Sequence, residues 1–551
     1  MTKPAPSAAW VLICLLCLAL VLSPTAPALA VQFPSEVTYD SNGSDANDNI
    51  LADTGTTFTV EYGVTYTLSG VLSGTGDLIQ TDYGTLVLSG VNTYTGNTIV
   101  EDHGTLSVSR DENLGEASGK LLLRLAGGLQ TTATFSSDRR VEWTDGGGAI
   151  TTAAGTTLTL NGQLSGDGYL VKKGDGTLVL TNTTNYYRDN VHVTAGVLRA
   201  GAAGALCTAD YSVFGTLDLN NFNLTIGRLD GAATGQVNLG SATLTIDLPD
   251  TADYIGEFTG SGTLIKKGTY TQGFGGDSSS FTGKLILEEG GLRLDATTKF
   301  GGTFTQKSGT VLTTSASGTT LGAATFKGTV SPKGTLNVAS ASFDGATVDL
   351  SSNLNTNKIV ASGAIAFNGA GTTIKLGDLS AATPGSYLLM TGSGISGLDK
   401  VTADVTLGAA QRGAFSLSES DTKLNYGLVT GPQTLTWDGT ATAYAWNNSS
   451  TNVNWSSGTF NINFKDGDAV IFDSSAANKN VVVDSAGVTV STMDVNDDYN
   501  FSGGKITASG AVTVADGKSL GLVAGSAEAL NAASVNFNTS GKLNITGYVP
   551  D

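Results

Sequence analysis

The sequence predicts an all-β chain, a right-handed parallel β-helix (a β-solenoid) behind a cleaved signal peptide, and three observations point there. Three stretches fall into register: GTGDLIQTDYGTLVLSGVNTYTGNTIVEDHGTLSV from Gly74, GDGYLVKKGDGTLVLTNTTNYYRDNVHVTAGVLRA from Gly166 and GSGTLIKKGTYTQGFGGDSSSFTGKLILEEGGLRL from Gly260, at steps of 92 and 94 residues. A chain that repeats strand and turn this way stacks its coils, each burying its apolar face against the next. Runs such as Thr157-Leu158-Thr159-Leu160 and Thr177-Leu178-Val179-Leu180 alternate with period two, which sends one set of side chains inward and the other outward. Leu86, Leu106, Leu178 and Leu198 are therefore expected to be buried, and Thr177 and Thr181 largely exposed. Glycine supplies 73 of the 551 residues, about twice its usual share of ~7%, and marks the corners between strands.

In chain order, the first element is the leader. Lys3 is the only charge before residue 31, an apolar run covers Ala8 to Leu22, and Ala28 and Ala30 form a small-residue cleavage site, so the mature chain is expected to begin at Val31. The run falls short of the roughly 20 residues that cross a bilayer. Cys14 and Cys17 leave with it. Cys207 then stands alone, so no internal disulfide staples the mature chain and stability rests on stacking. Without Lys3 the balance is 28 basic against 48 acidic residues, a net charge of −20, which excludes nucleic acid and anionic lipid as partners.

The coils come next. Tyr94, Tyr186 and Phe281 recur at nearly one register and are expected to stack from coil to coil. The candidates for chemistry lie on these coils, and each reads first as scaffold. His103 aligns with Ala195 and Glu289 in the other registers, a turn position that tolerates change, and His192 sits outward between Val191 and Val193. A Ser-His-Asp nucleophile or a His-based metal site would need one of them, so no catalytic residue, metal site or cofactor is assigned. The cluster Asp138, Arg139, Arg140, Glu142, Trp143 and Asp145 has the acids and bases a polysaccharide-cleaving groove requires, although Val141 and Trp143 also fit as inward alternates. The pairs Lys172-Lys173 and Lys266-Lys267 share one register and read as a solvated corner, or as a stripe for an anionic ligand; the first register has Gln80-Thr81 there. GFGGDSSSF from Gly273 carries a faint calcium-repeat pattern in a single copy.

GDGTLVLTN, NTYTGNTIV, GTLSV, GTLDLNNFNLTIGRLDG and VNLGSATLTI resemble the passenger-associated repeats of bacterial autotransporters. So do GTVSPKGTLNV, NTNKIVASGAIAFNGAGTTIKLGDL and PGSYLLM, the usual ending of a passenger unit, and a further unit opens at LTWDGT from Leu435. The resemblance covers about residues 50–510 and implies a signal peptide over 1–30, a passenger-type unit over 31–430 and the start of a second, truncated unit over 431–551. It also implies an outer-membrane β-barrel as a missing or separate partner, since the 48 residues after Gly503 are too few for even eight strands. Trp437, Trp446 and Trp455 recur every nine residues. They are the candidate binding residues, as a stacking platform for sugars, with an end-plug of the new unit as the plainer reading. The function expected is that of an exported cell-surface or extracellular structural and adhesive protein, not an enzyme, of a Gram-negative-type bacterium, with surface glycans or host or matrix proteins as partners. The alternatives are a secreted polysaccharide-active β-helix enzyme and a non-functional fragment of a longer autotransporter.

Overall fold

A computed structural model describes residues 30–187, 189–247, 249–439, 445–448, 454–458, 461–524 and 528–547; the expected leader lies outside them but for Ala30. Among the described residues the regular structure is strand, interrupted by two 3-10 turns at Asp111–Leu114 and Leu398–Lys400. Two compact units form, one running through Leu170 and taking in Gly174–Leu178, the other made of Val171–Lys173 and everything from Val179 on.

In the first unit every strand pairs in parallel with its counterpart one coil away. Leu86 is level with Leu106 and Leu106 with Leu129, so these coils take 20 and 23 residues. Ile150 continues that ladder, and Leu78, Thr98, Leu121, Val141 and Leu164 form a second one on another face. All these side chains are buried. Each leucine so enclosed contributes about 1.5–3 kcal/mol, and it does so only because the next coil covers it. One corner requires glycine: a Cβ on Gly96 would lie 2.2 Å from the carbonyl oxygen of Gly76, and one on Gly119 2.5 Å from that of Gly96. The parallel solenoid is the fold the repeats predict.

Leu86, Leu106, Leu178 and Leu198 are fully buried, as the alternation requires. Two expectations are corrected. Thr177 and Thr181 are half-buried, because an outward side chain on a stack of strands about 4.8 Å apart is flanked above and below. Tyr94 and Phe281 are enclosed, yet Tyr186 is 48% exposed and its neighbour Tyr187 takes the inward place. A one-residue shift exchanges the two faces of a strand.

The second unit begins in the same style. Leu224, Leu244, Leu264, Leu285 and Phe304 form one parallel ladder, and the rings of Phe326, Phe343 and Phe367 stack at 5.1 and 5.3 Å. The pattern then breaks. Gly385–Thr391, Gln411–Ser418 and Lys423–Thr430 form an antiparallel meander, with Lys423–Thr430 in the middle. Parallel pairing resumes where Thr434–Trp437 meets Ala469–Phe472. A core from Leu435 to Leu522 follows, and it includes Ala414 and Val429 of the meander.

Candidate functional site

The residues singled out in the sequence belong mostly to the scaffold. His103 lies half-exposed in a turn at φ 66° with its ring stacked 4.6 Å from Tyr83. His192 is half-buried between the enclosed Val191 and Val193. Of the charged cluster, Val141 and Trp143 do point inward, and Arg139 is buried as well. Its guanidinium reaches back one coil, donating to Asp111 Oδ1 at 3.0 Å and to the carbonyls of Asp111, Gly115, Glu116 and Gly119. Arg139 thus holds the 3-10 turn in place. Glu142 pairs with Lys120 at 3.1 Å and Arg140 at 2.9 Å. Asp277 of the glycine-rich stretch pairs with Lys299 at 2.5 Å, and no group of three metal-ligating side chains occurs among the described residues.

The lysine pairs are a correction. Lys172 and Lys266 are fully buried and belong to neither a solvated corner nor a stripe for anions, whereas Lys173 is exposed and Lys267 is half-buried and paired with Glu288. The two buried lysines follow the period-two alternation inward from Leu170 and Leu264. The Lys266 ammonium donates to the carbonyl oxygens of Lys267, Gly268 and Glu289 at 2.6, 2.8 and 3.0 Å, spending its three protons on its own corner and on the next coil. Burial pushes its pKa down to about 8, with Glu289 and Asp247 acting the other way. Lys172 does the same with Lys173 O at 2.7 Å and Ala195 O at 3.1 Å. Gln80, in the same register of the first stretch, is buried too and donates to Thr81 O at 3.1 Å.

Trp437, Trp446 and Trp455 are each fully enclosed. Trp455 meets Trp437 and Trp446 edge to face at 5.1 and 5.2 Å, and Trp437 Nε1 donates to Asn478 O at 3.0 Å. Stacking on a sugar needs an exposed ring face, which these indoles do not present. Their placement is that of a core at the start of the coils after the meander.

A different arrangement has the form of a binding site. On the Gln411–Ser418 strand, Arg412, Ala414, Ser416 and Ser418 share one face with their partners Val429, Gly427, Asn425 and Lys423. Ser386 and Leu388 of the outer strand join that face opposite Gly427 and Asn425. At one end it is sealed. Arg412, 7% exposed, makes a bidentate pair with Asp468, 1% exposed, at 2.6 and 2.7 Å. Asp468 also accepts the backbone N–H groups of Gln433 and Lys465. Beside the meander lie the short antiparallel strands Trp455–Ser456 and Asn461–Ile462. Between them opens a cleft of about 390 Å³, lined on one side by Ser386, Ser416 and Asn425 and on the other by Ser456 and Asn461. Glu419 and Lys423 at its rim form an ion pair with each other. The turn that carries Glu419 is unusual: Glu419, Ser420 and Asp421 all have positive φ, at 52°, 54° and 62°. The Thr422 hydroxyl, donating to Glu419 O at 2.7 Å, helps to hold it. The sequence reading missed this cleft, although QRGAFSLS and KLNYGLVT around a polar turn carry a hairpin signal.

With the geometry described, comparison with known proteins places the coils in context. The family model described as Passenger-associated-transport-repeat matches residues 78–108 and 170–200. Over these two stretches the chain is similar to passenger-associated transport repeats. These repeats are the first two of the three registers, and their leucines at 78, 86, 106, 170, 178 and 198 are the buried ones. Over 169 residues the chain is 41% identical to the adhesin BmaC autotransporter of Brucella suis biovar 1 (strain 1330), a match that takes in 29% of this chain and 5% of that protein. The chain thus spans a small part of that relative's length, and it resembles an autotransporter passenger region. The cleft lies outside both repeat matches.

Proposed function

We propose that this chain is an exported β-helical passenger-type protein with a structural and adhesive role at the surface of a Gram-negative-type bacterium, and that it is not an enzyme. The observation that carries the reading is the 41% identity to a relative named as an adhesin, in a chain whose passenger repeats are parallel coils. In this reading the signal peptide is removed after Ala30, and one passenger-type unit ends near residue 430, where the meander closes, with a second beginning at 431. Export uses an outer-membrane β-barrel that is separate from the described coils, and the partners are surface glycans or host or matrix proteins. The alternative of a polysaccharide-cleaving enzyme draws no support from the Asp138 to Asp145 cluster, whose Arg139 and Glu142 are engaged with neighbouring coils. Beads coated with the purified chain and offered to cultured cells and to matrix-coated surfaces test the role. Adherence above albumin-coated beads is expected, and its absence on every surface would remove the adhesive reading. N-terminal sequencing of the exported protein tests for a start at Val31.

A further inference from the structure

We infer that the exposed corner carrying Tyr62 and Tyr83 docks a lysine- or arginine-rich segment of a partner protein, which deepens the adhesive reading and rests on it. The turns after Thr56–Val60 and Leu78–Thr81 lie on neighbouring coils, since those strands pair in parallel. Each turn sets a tyrosine outside: Tyr62 is 84% exposed and Tyr83 53%. Their ring centroids are 6.4 Å apart with the planes at 67°, so the two rings make one patch. His103, from the corner of the next coil, braces Tyr83 by stacking on it at 4.6 Å, and the guest meets the two tyrosines. A single exposed ring needs no explanation, but large rings held side by side on successive coils are a patch, and patches mark interaction sites.

The charges beside the rings decide the partner. Glu61 precedes Tyr62 and is exposed. Asp82 precedes Tyr83 and accepts its backbone N–H at 2.7 Å. Asp102, on the next corner, is 62% exposed with His103 Nδ1 3.9 Å away. Among the described residues no lysine or arginine pairs with any of the three, and Arg124, one coil further on, is held by Glu101. A carboxylate beside an open aromatic ring is the chemistry that takes up an ammonium or guanidinium, because the ring face and the carboxylate attract it together. The chain keeps two of these carboxylates at some cost: Asp82 and Asp102 sit at φ 68° and 50°, where glycine is the unstrained choice. Alternate side chains of an extended segment, about 6.6 Å apart on one face, match the 6.4 Å between the ring centroids. A neutral sugar would leave the carboxylates unanswered, and an acidic one would be repelled.

The test offers the whole chain an immobilised short peptide of alternating arginine and glycine, beside the same peptide with glutamate for arginine and a set of neutral oligosaccharides. Binding to the arginine peptide alone is expected, weakening as salt is raised. Tyr62→Ala with Tyr83→Ala should lower the affinity about tenfold, whereas Tyr62→Phe with Tyr83→Phe keeps the rings and should bind like the wild type. Glu61→Gln with Asp102→Asn should lower it about fivefold. Asp399→Asn with Asp404→Asn removes the same charge from exposed positions elsewhere and should not. Melting of every variant should match the wild type, and the charge pair tests the corner even if the alanine pair melts early. Binding untouched by the alanine and charge pairs, an equal loss with the distant acids, or a preference for an oligosaccharide overturns the inference. Beads separate it from the adhesive reading: adherence by a chain that ignores the peptide sinks the corner alone, and peptide binding by a chain that adheres nowhere sinks adhesion alone.

Discussion

The coils from Thr263 to Gln306 and the meander from Gly385 to Thr430 both shield polar side chains from solvent, and they treat them differently. In the coils Lys266 and Gln306 give their protons to carbonyls of their own corner and of the next coil, Gln306 through Nε2 to Thr310 O and Thr329 O at 3.1 and 2.9 Å. The amide oxygen of Gln306 stays unpartnered, but in a dry interior that no ligand reaches. In the meander Ser416 is 5% exposed and lines a cleft, where solvent reaches its hydroxyl. Burial of a polar group therefore does not by itself mark a site. What decides is whether the chain has already satisfied the group, and whether something else could.

The largest effect that would sharpen this contrast is at the sealed end of the meander. Arg412→Ala leaves the Asp468 carboxylate enclosed without its cation, and breaking such a pair costs about 3–5 kcal/mol. Urea unfolding should show that loss, with new protease cleavage between residues 411 and 468. A change under about 1 kcal/mol would mean the pair is not what joins the meander to the next coils.

A comparable effect depends on pH. The Lys266 pKa lies at about 8 in the folded chain against an ordinary 10.5. Between those values the unfolded chain binds more protons, so stability rises as pH climbs from about 8 to about 10.5, on the order of 3 kcal/mol in all. Lys266→Gln, which keeps an amide for the corner carbonyls, should lack that rise. The wild-type minus variant difference in unfolding free energy at about pH 7 and about pH 10 checks it, and a constant difference would show that Lys266 is solvated after all.

Smaller effects belong to the turns. Ser420 sits at φ 54° between two other left-handed residues, and glycine there relieves strain of about 1–2 kcal/mol against an entropy cost of about 0.5–1. Ser420→Gly should therefore raise stability by about 0.5 kcal/mol in the same unfolding assay; a loss would show that the turn is held by contacts of the serine itself. Least of all, His103→Ala should stay within about 0.5 kcal/mol of wild type and leave any surface binding unchanged. A larger loss would make the exposed Tyr83–His103 stack more than a surface feature.

The coils were legible in the sequence because their physics is local and repeated. Alternation places Leu86 or Leu178 inward at every turn of the register. The same alternation carried Lys172 and Lys266 inward, two residues after a buried leucine, and Gln80 in their register was the signal that these positions hold a satisfied interior donor. Their charge outweighed the pattern in the reading. The tryptophans were legible as a group, but whether an indole lies on a surface or in a core depends on what folds over it. The cleft was not legible at all. Ser416 and Asn425 lie nine residues apart, yet the opposite wall is supplied by Ser456 and Asn461, more than thirty residues on, and only the tertiary fold brings the walls together.

That pair also has a mechanical meaning. The hydrogen bonds between parallel coils join one turn to the next, so a pull from one end peels turns away in succession, each yielding before the next is loaded. Arg412 and Asp468 are 56 residues apart and are joined by two charge-assisted bonds, both of which must break before the meander parts from the coils that follow. Under a pull along the coils, this clamp is a stop in the unravelling.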